Sequence, residues 1–285
     1  MSSQGWQRLY QIIKQEARRL PRPKRRFVYS DALIAGMFFW AVWHDRPQCW
    51  AARRTSYNGL FRPRQLPSNS EFNRRVRSAR FAQLLTRIFA ASQPAPPPHA
   101  TLVLDARPLP VGACSKDVAT TPGRVYCGFA RGYRLHALVD SQGYVKAFRL
   151  TAMNVGEPDV AMALLSEAPT GSTVLTDGVN DAARLYEVAE AHGVRFRARP
   201  RKNAGRGHRP QHAARLQGIA DWHANAAQYE RLRGMVERVF GWQSSFGGGL
   251  GPLPAWVRTP ARTTRWVTAK LVLYHVRRTL RTAAA

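Results

Sequence analysis

The chain has 285 residues and is strongly basic, because 44 lysines and arginines stand against 17 acids and give a formal net charge of +27. A charge of this size opposes compaction unless a polyanion shares the surface, and a nucleic acid is the usual polyanion. A genome that favours arginine codons would raise the number of arginines but would not explain the shortage of acids. Hydrophobic residues make up 45% of the chain, which is enough for a real core.

The cysteines and the apolar stretches exclude several classes of protein. Cys49, Cys114 and Cys127 show no CxxC spacing, so they predict ordinary thiols in a reducing compartment rather than a zinc site or a disulfide framework. The apolar stretch 32–43 is too short to span a membrane, and the first residues lack the regions of a secretion signal. We therefore expect a cytoplasmic protein without a membrane partner.

A proline-rich segment, residues 93–100, divides the chain into two predicted domains. Consecutive prolines cannot continue a helix, and they stiffen an extended linker. Residues 1–92 show helical patterns, whereas strand patterns begin at residue 101. The prediction is a helical domain over 1–92, a linker over 93–100 and a second domain over 101–285.

Two helix starts can be recognised in the first domain. Ser30 or Asp31 can cap an apolar helix, and a capping box from Ser68 to Glu71 opens a basic helix. Helices joined by short turns and ending in a basic helix favour a helix-turn-helix domain that binds DNA, although a helical bundle with a solvated basic face is an equally good interpretation. In the first interpretation the DNA contacts are Arg74, Arg75 and Arg77.

Strand and helix patterns alternate in the second domain. The order of the patterns is that of the ribonuclease H-like fold: a first strand, a hairpin, a helix and then alternating strands and helices. We therefore predict an α/β class with a mixed sheet flanked by helices. The predicted strands are 101–104, 132–140, 144–150, 173–175 and 194–198, and the predicted helices are 158–166, 181–192, 226–242 and 262–281.

Three carboxylates occupy positions that suit metal-dependent phosphodiester chemistry. Asp105 ends an apolar strand pattern, Asp177 ends another, and Glu237 lies in a helical pattern. A pair of divalent ions can hold the attacking and leaving oxygens of an in-line displacement, and Mg²⁺ prefers carboxylate ligands. We predict that Asp105 bridges two Mg²⁺ or Mn²⁺ ions and that Asp177 and Glu237 each bind one. Each carboxylate taken alone also has an ordinary structural interpretation. An aspartate after a strand is commonly a turn or cap residue, and a helical glutamate among arginines is commonly an ion-pair partner.

Two further groups of residues are candidates for contacts with DNA. Tyr229, Arg233 and Glu237 are spaced by four residues and therefore share one helix face. The alternative to a functional role for Arg233 and Glu237 is a simple ion pair between them within the helix. A very basic segment, 199–215, precedes that helix and is expected to follow phosphates, although a solvated loop is compatible with its composition. The candidates in that segment are Arg201, Lys202, Arg206 and Arg209.

Several motifs together resemble those of the DDE transposases of bacterial insertion sequences, over roughly residues 101–242. They are the stretch 104–111 around Asp105, the hairpin 131–143, the stretch 151–159 with Glu157 and Asp159, Thr176-Asp177 with Asp181, and Arg233 with Val236-Glu237 and Phe240. The sequence differs from the family pattern at Glu230, where the family usually has the tyrosine that stands here at position 229.

This resemblance implies a nucleoid-associated transposase that recognises terminal inverted repeats in double-stranded DNA. It would use divalent ions to cut at the ends of an element and to transfer the 3′-hydroxyl to target DNA, as a homodimer or a larger oligomer. Two alternatives stay open: a ribonuclease H-like nuclease or resolvase that uses the same carboxylates, and a non-catalytic DNA-binding protein, such as a decayed transposase copy.

Overall fold

The structure, a computed structural model, describes residues 2–23, 27–97, 99–112, 114–201 and 212–283. Its helices are α1 Ser3–Arg18, α2 Asp31–Trp43, α3 Gln48–Ala51, α4 Asn69–Val76, α5 Ala79–Ala91, α6 Glu157–Leu165, α7 Ala183–Ala191, α8 Ala213–Ala224, α9 Ala226–Ser244 and α10 Pro260–Ala283. Its strands are β1 Thr101–Pro110, β2 Thr121–Val125, β3 Gly128–Asp140, β4 Val145–Ala152, β5 Thr173–Thr176 and β6 Arg195–Ala198.

The chain forms two compact units. The helical unit comprises Met1–Pro94, Gly112–Asp117 and Gln243–Ala285, and the sheet unit comprises Ala95–Val111 and Val118–Trp242. The C-terminal helix α10, which the sequence placed in the second domain, therefore belongs to the helical unit. Its middle turns are buried and mostly apolar, and they pack against α1, α2 and α5, which is why the two ends of the chain share one core.

The helices α1, α2, α4 and α5 of the helical unit begin at serine side-chain caps, and the sequence predicts those of α2 and α4. Ser30 Oγ accepts a hydrogen bond from the backbone N–H of Leu33 at 3.2 Å, and Ser68 Oγ accepts one from Glu71 at 3.2 Å. These bonds satisfy N–H groups that have no partner inside the first helical turn. In the part of the chain that the structure describes, no helix combines the length and the apolar character needed to cross a membrane.

A buried lysine joins three parts of the helical unit. Lys270 is 1% exposed, and its ammonium group donates to the carbonyl oxygens of Val42 and Gly248 at 2.8 and 2.9 Å and to Asp45 at 2.6 Å. Val42 lies in the last turn of α2, where backbone carbonyls lack helical partners and a cation is favourable. The lysine thus anchors the end of α2 to α10.

We expect Lys270→Met to destabilise the protein by about 3 kcal/mol, because the substitution removes a buried ammonium donor from two backbone carbonyl groups and leaves a carboxylate without its cation. Urea denaturation followed by circular dichroism measures this change. Lys14→Met is the control, because Lys14 is exposed and its ammonium group lies over the ring of Tyr10. Equal stability of the two variants would contradict the anchoring role.

The sheet unit has the ribonuclease H-like fold that the sequence predicts. Strand β1 is central, pairing antiparallel with β3 and parallel with β5, and β6 extends the sheet parallel to β5. Strand β4 pairs with β3, so the order β4-β3-β1-β5-β6 is a mixed sheet. Leu104, Leu138, Leu164 and Leu185 belong to the core that joins one face of this sheet to α6 and α7.

The structure also contains elements that the sequence analysis missed. Strand β1 continues to Pro110, and β2 adds a short edge strand that pairs with the start of β3. Asp177 therefore follows the fifth strand rather than the fourth. The C-terminal part of the predicted basic loop, together with the residues after it, forms α8.

Candidate active site

Asp105 within β1 and Asp177 just after β5 stand one position beyond the last residues at which these neighbouring strands pair. Strands β1 and β5 run parallel, and their last paired residues are Leu104 and Thr176, so the two aspartates follow directly on neighbouring strands. Asp105 Oδ1 accepts the N–H of Ala106 at 2.8 Å, and Asp177 caps the following 3-10 turn by accepting the N–H of Val179 at 3.2 Å. Each carboxylate thus has one oxygen oriented by its own backbone.

The environment of Asp105 disfavours a negative charge. Burial raises the pKa of the Asp105 carboxyl to about 7, against the lowering effect of the Ala106 hydrogen bond. The charges of Asp177 and Glu157 raise this pKa further, and the charge of Arg233 lowers it. Several acids therefore share one partly buried region, an arrangement that a bound cation would stabilise.

Glu157 is a member of this acidic cluster to which the sequence analysis assigned no role. It is the first residue of α6, and its carboxylate forms an ion pair with Arg134 of β3 at 2.6 Å. Burial is the largest cause that raises the pKa of Glu157; Arg134 opposes the increase, and Asp177 adds to it. The only feature of the sequence that pointed to Glu157 was its place, with Asp159, in the family-like stretch 151–159. Its position in the cluster depends on the packing of α6 against β3.

Helix α9 lies over the face of β1 that carries Asp105. Alternate residues of a strand share a face, so Arg107 lies on the same side as Asp105, and Arg107 donates to the backbone oxygen of Phe240 in α9 at 2.7 Å. Arg233, Glu237 and Phe240 are spaced by four and three residues and therefore follow one stripe of the helix. Glu237 lies on this stripe between Arg233, whose charge acts on Asp105, and Phe240, whose backbone oxygen binds Arg107.

The structure does not bring the three predicted carboxylates into one ligating group. Glu237 is exposed, and among the described residues no three His, Cys, Asp or Glu side chains approach closely enough to hold one metal ion. Two turns before Glu237 on the same stripe, Glu230 forms ion pairs with Arg199 at 3.0 Å and with Arg233 at 3.3 Å. The helix therefore offers two glutamates, and only Glu237 has no arginine bound to it among the ion pairs of the described residues.

Tyr229 has a protein partner rather than an open position. Its hydroxyl group donates to Asp221 at 3.1 Å, and the same carboxylate forms an ion pair with Arg197 of β6 and accepts from Asn225 at 2.9 Å. The ring of Tyr229 also packs on Trp222. These contacts hold the corner between α8 and α9, so the structure gives Tyr229 a role in positioning α9.

The three arginines predicted to contact DNA in the helical unit differ in exposure. Arg75 is buried, with an ion pair to Asp31 at 2.6 Å and its guanidinium group 3.8 Å from the ring centre of Phe27. This burial gives Arg75 a structural role, contrary to the prediction of a DNA contact. Arg74 pairs with Glu71 but is largely exposed, and Arg77 is exposed at the end of α4.

One arginine of the predicted basic segment contacts the turn that follows Asp177. Arg201 donates to the backbone oxygen of Gly178 at 2.8 Å, which places a cation beside the acidic cluster. Further along, Arg215 forms a bidentate pair with the buried Asp181, at 2.8 and 2.6 Å. The other predicted contacts, Lys202, Arg206 and Arg209, lie outside the described residues.

Comparison with known proteins gives one family. The family model described as "Transposase DDE domain" matches residues 96–250, more than half of the chain. No curated protein matches the chain. Among solved structures, one chain of the simian T-cell lymphotropic virus intasome in complex with the PP2A regulatory subunit B56 gamma is similar at 14% identity and a TM-score of 0.23, over 67% of this chain and 64% of that one.

Proposed function

The chain belongs to the family of transposase DDE domains, and from this premise we propose that it is a DNA transposase of an insertion sequence. It cuts DNA at the ends of its element and transfers the freed 3′-hydroxyl group to target DNA. Its substrates are then double-stranded DNA with terminal inverted repeats and a target duplex. A nucleoid-associated, cytoplasmic location follows from those substrates.

The observation that carries this proposal is the pair of aspartates that stand side by side where the pairing of the parallel strands β1 and β5 ends. Asp105 and Asp177 follow Leu104 and Thr176, which are paired in the sheet, and no cation among the described residues forms an ion pair with either carboxylate. Glu157 adds a third acid to the same region. Adjacent carboxylates without an ion-pair partner are the ligand type that Mg²⁺ and Mn²⁺ prefer.

Carboxylates are the ligand type that divalent ions prefer, and we propose a pair of such ions here even though the three carboxylates do not form one ligating group among the described residues. Asp105, Asp177 and Glu237 would hold them; when bound, such ions polarise the phosphodiester and lower the pKa of water at the reacting centre. Asp105 and Asp177 are preoriented by Ala106 and Val179, whose N–H groups bind one oxygen of each carboxylate. This leaves the second oxygen of each aspartate for a ligand.

Cationic side chains around the aspartates would bind the DNA backbone. Arg233 acts electrostatically on Asp105, and Arg201 contacts the turn after Asp177. Phosphate contacts of this kind fix the register of the duplex without reading its sequence. Because element ends and target must be held together for strand transfer, the active form is a homodimer or a larger oligomer on DNA.

Glu237 and Glu230 provide a matched pair that tests the third carboxylate. We expect Glu237→Gln to lower the rate of Mg²⁺-dependent cutting by more than about a hundredfold, because losing a metal ligand exceeds the loss from an outer contact. Glu230→Gln removes only the ion pairs with Arg199 and Arg233 and should lower the rate by less than about tenfold. Cutting of a labelled duplex in Mg²⁺ or EDTA measures both.

The opposite ranking of the two variants would move the third-ligand role from Glu237 to Glu230. If both variants kept full activity, the proposal that a carboxylate of α9 acts at the reacting centre would be wrong. Circular dichroism of each variant checks that the loss does not come from unfolding.

A further inference from the structure

The hairpin formed by β2 and β3 extends past the rest of the sheet. Strand β3 begins at Gly128, but β1 pairs with it only from Gly132 onward and β4 only from Tyr133 onward. Within the described sheet, residues 128–130 therefore pair with β2 alone, whereas the backbone oxygen of Arg131 also accepts the N–H of Val111 at 3.0 Å. Residues 121–132 form a two-stranded ribbon, and we refer to them as the ribbon.

One face of the ribbon is packed and the other is open. Opposed residues of an antiparallel pair point to the same face. On the packed face, a Cβ atom at Gly123 would lie 2.5 Å from Met153, and one at Gly132 would lie 2.8 Å from it, so Met153 fills this space. The open face carries two exposed pairs, Arg124 opposite Phe129 and Pro122 opposite Arg131.

Two aromatic rings lie bare at the end of the ribbon. Phe129 is 80% exposed, and Tyr126 in the turn is fully exposed. Gly128 follows that turn with φ of 102°, a conformation that other residues rarely adopt, so the turn that presents Tyr126 is built into the sequence. Large exposed rings grouped together indicate a surface that binds something.

The charge of the ribbon indicates the class of ligand. Arg124 and Arg131 lie on the open face beside Phe129, and residues 121–132 contain no acid. Arg131 donates to the carbonyl oxygen of Thr120 at 2.7 Å, which holds it at the base of the ribbon. Aromatic rings flanked by arginines suit a polyanion that also offers flat rings, which is the chemistry of DNA with unstacked bases.

We propose that the ribbon is a DNA-binding element in which Phe129 and Tyr126 stack on unstacked bases and Arg124 and Arg131 bind the flanking phosphates. A two-stranded ribbon has the dimensions to enter a DNA groove, and apolar side chains inserted between base steps hold DNA in a kinked form. This inference rests on the proposed DNA substrate and adds a site outside the carboxylate cluster.

The test compares two duplexes of equal length, one fully paired and one with a few unpaired central bases, bound by the full chain over a range of salt. Wild type should bind the unpaired form more tightly, because no stacking has to be broken first. Phe129→Leu and Tyr126→Leu should each lose about tenfold in affinity for the unpaired form without changing the salt dependence. Arg124→Gln should instead lower the salt slope by about one unit.

The neighbouring Cys127→Ser is the matched control, because Cys127 is an exposed residue of the same turn; it should bind as wild type does. Unchanged preference in both leucine variants would overturn the inference while leaving the proposed function intact. The same holds if the leucine variants change only the sedimentation of the free protein, since the rings would then form a contact between copies. A wild type that binds neither duplex would overturn the proposed function as well.

Discussion

Asp105→Asn and Asp177→Asn are each expected to lower the rate of Mg²⁺-dependent DNA cutting by more than about a hundredfold, since even contacts beyond the metal ligands cost ten- to a hundredfold. The substitutions remove one negative charge and keep the oxygen that accepts the N–H of Ala106 or Val179. The local backbone should therefore be unchanged. Single-turnover cutting of a labelled duplex measures the effect.

Asp159→Asn is the control for both variants. Asp159 lies two residues after Glu157, but it is 59% exposed and pairs with Arg184 on the surface, where such a pair contributes little. We expect this variant to cut DNA at the wild-type rate. If Asp159→Asn lost as much activity as Asp105→Asn, the loss would come from removing any nearby negative charge, and Asp105 would have no special role as a metal ligand.

Asp105→Asn is also expected to stabilise the metal-free protein, by about 2 kcal/mol at neutral pH, which raises the melting temperature by several degrees. In the folded protein the pKa of Asp105 is raised from 3.8 to about 7. A carboxyl whose pKa is raised on folding lowers stability when it is ionised. The cost is absent below pH 3.8, grows between pH 3.8 and about 7 and is complete above that range.

Thermal unfolding of wild type and Asp105→Asn at several pH values, with and without Mg²⁺, measures how much the ionised Asp105 lowers stability. The difference between wild type and variant should be small near pH 4 and largest above pH 7. Mg²⁺ should raise the melting temperature of wild type more than that of the variant, because a ligand stabilises the form that binds it. If Asp105→Asn were less stable than wild type at neutral pH, the claim that the ionised Asp105 destabilises the metal-free protein would be wrong.

The sequence predicted the central sheet well because its strands are apolar and follow a regular order. The strands around Asp105 and Asp177 could be placed from their patterns alone. Strand β2 was missed because it contains Pro122 and Gly123, which normally argue against a strand; its position at the sheet edge tolerates them. Helix α8 was missed because Gly218 weakens its helical pattern, although Tyr186 lies so close that only glycine fits there.

The site could be predicted only in part because several of its contacts join distant segments. Arg75 was taken for a DNA contact because its partner, Asp31, is 44 residues away in the sequence. Glu157 joins the acidic cluster through the packing of α6 against β3, which no local pattern reports. Tyr229 shares a helix face with Arg233 and Glu237, but its bond to Asp221 depends on the corner between α8 and α9.

The proposed transposase activity is tested most directly by incubating the purified protein with a labelled duplex that carries the sequence flanking its gene, in Mg²⁺ or in EDTA. We expect nicks at the element ends and joined products that require Mg²⁺ and disappear in Asp105→Asn. Nicks without joined products would favour a ribonuclease H-like nuclease. Binding without cutting in any divalent metal, or cutting that persists in EDTA, would contradict a transposase that acts through Asp105 and Asp177.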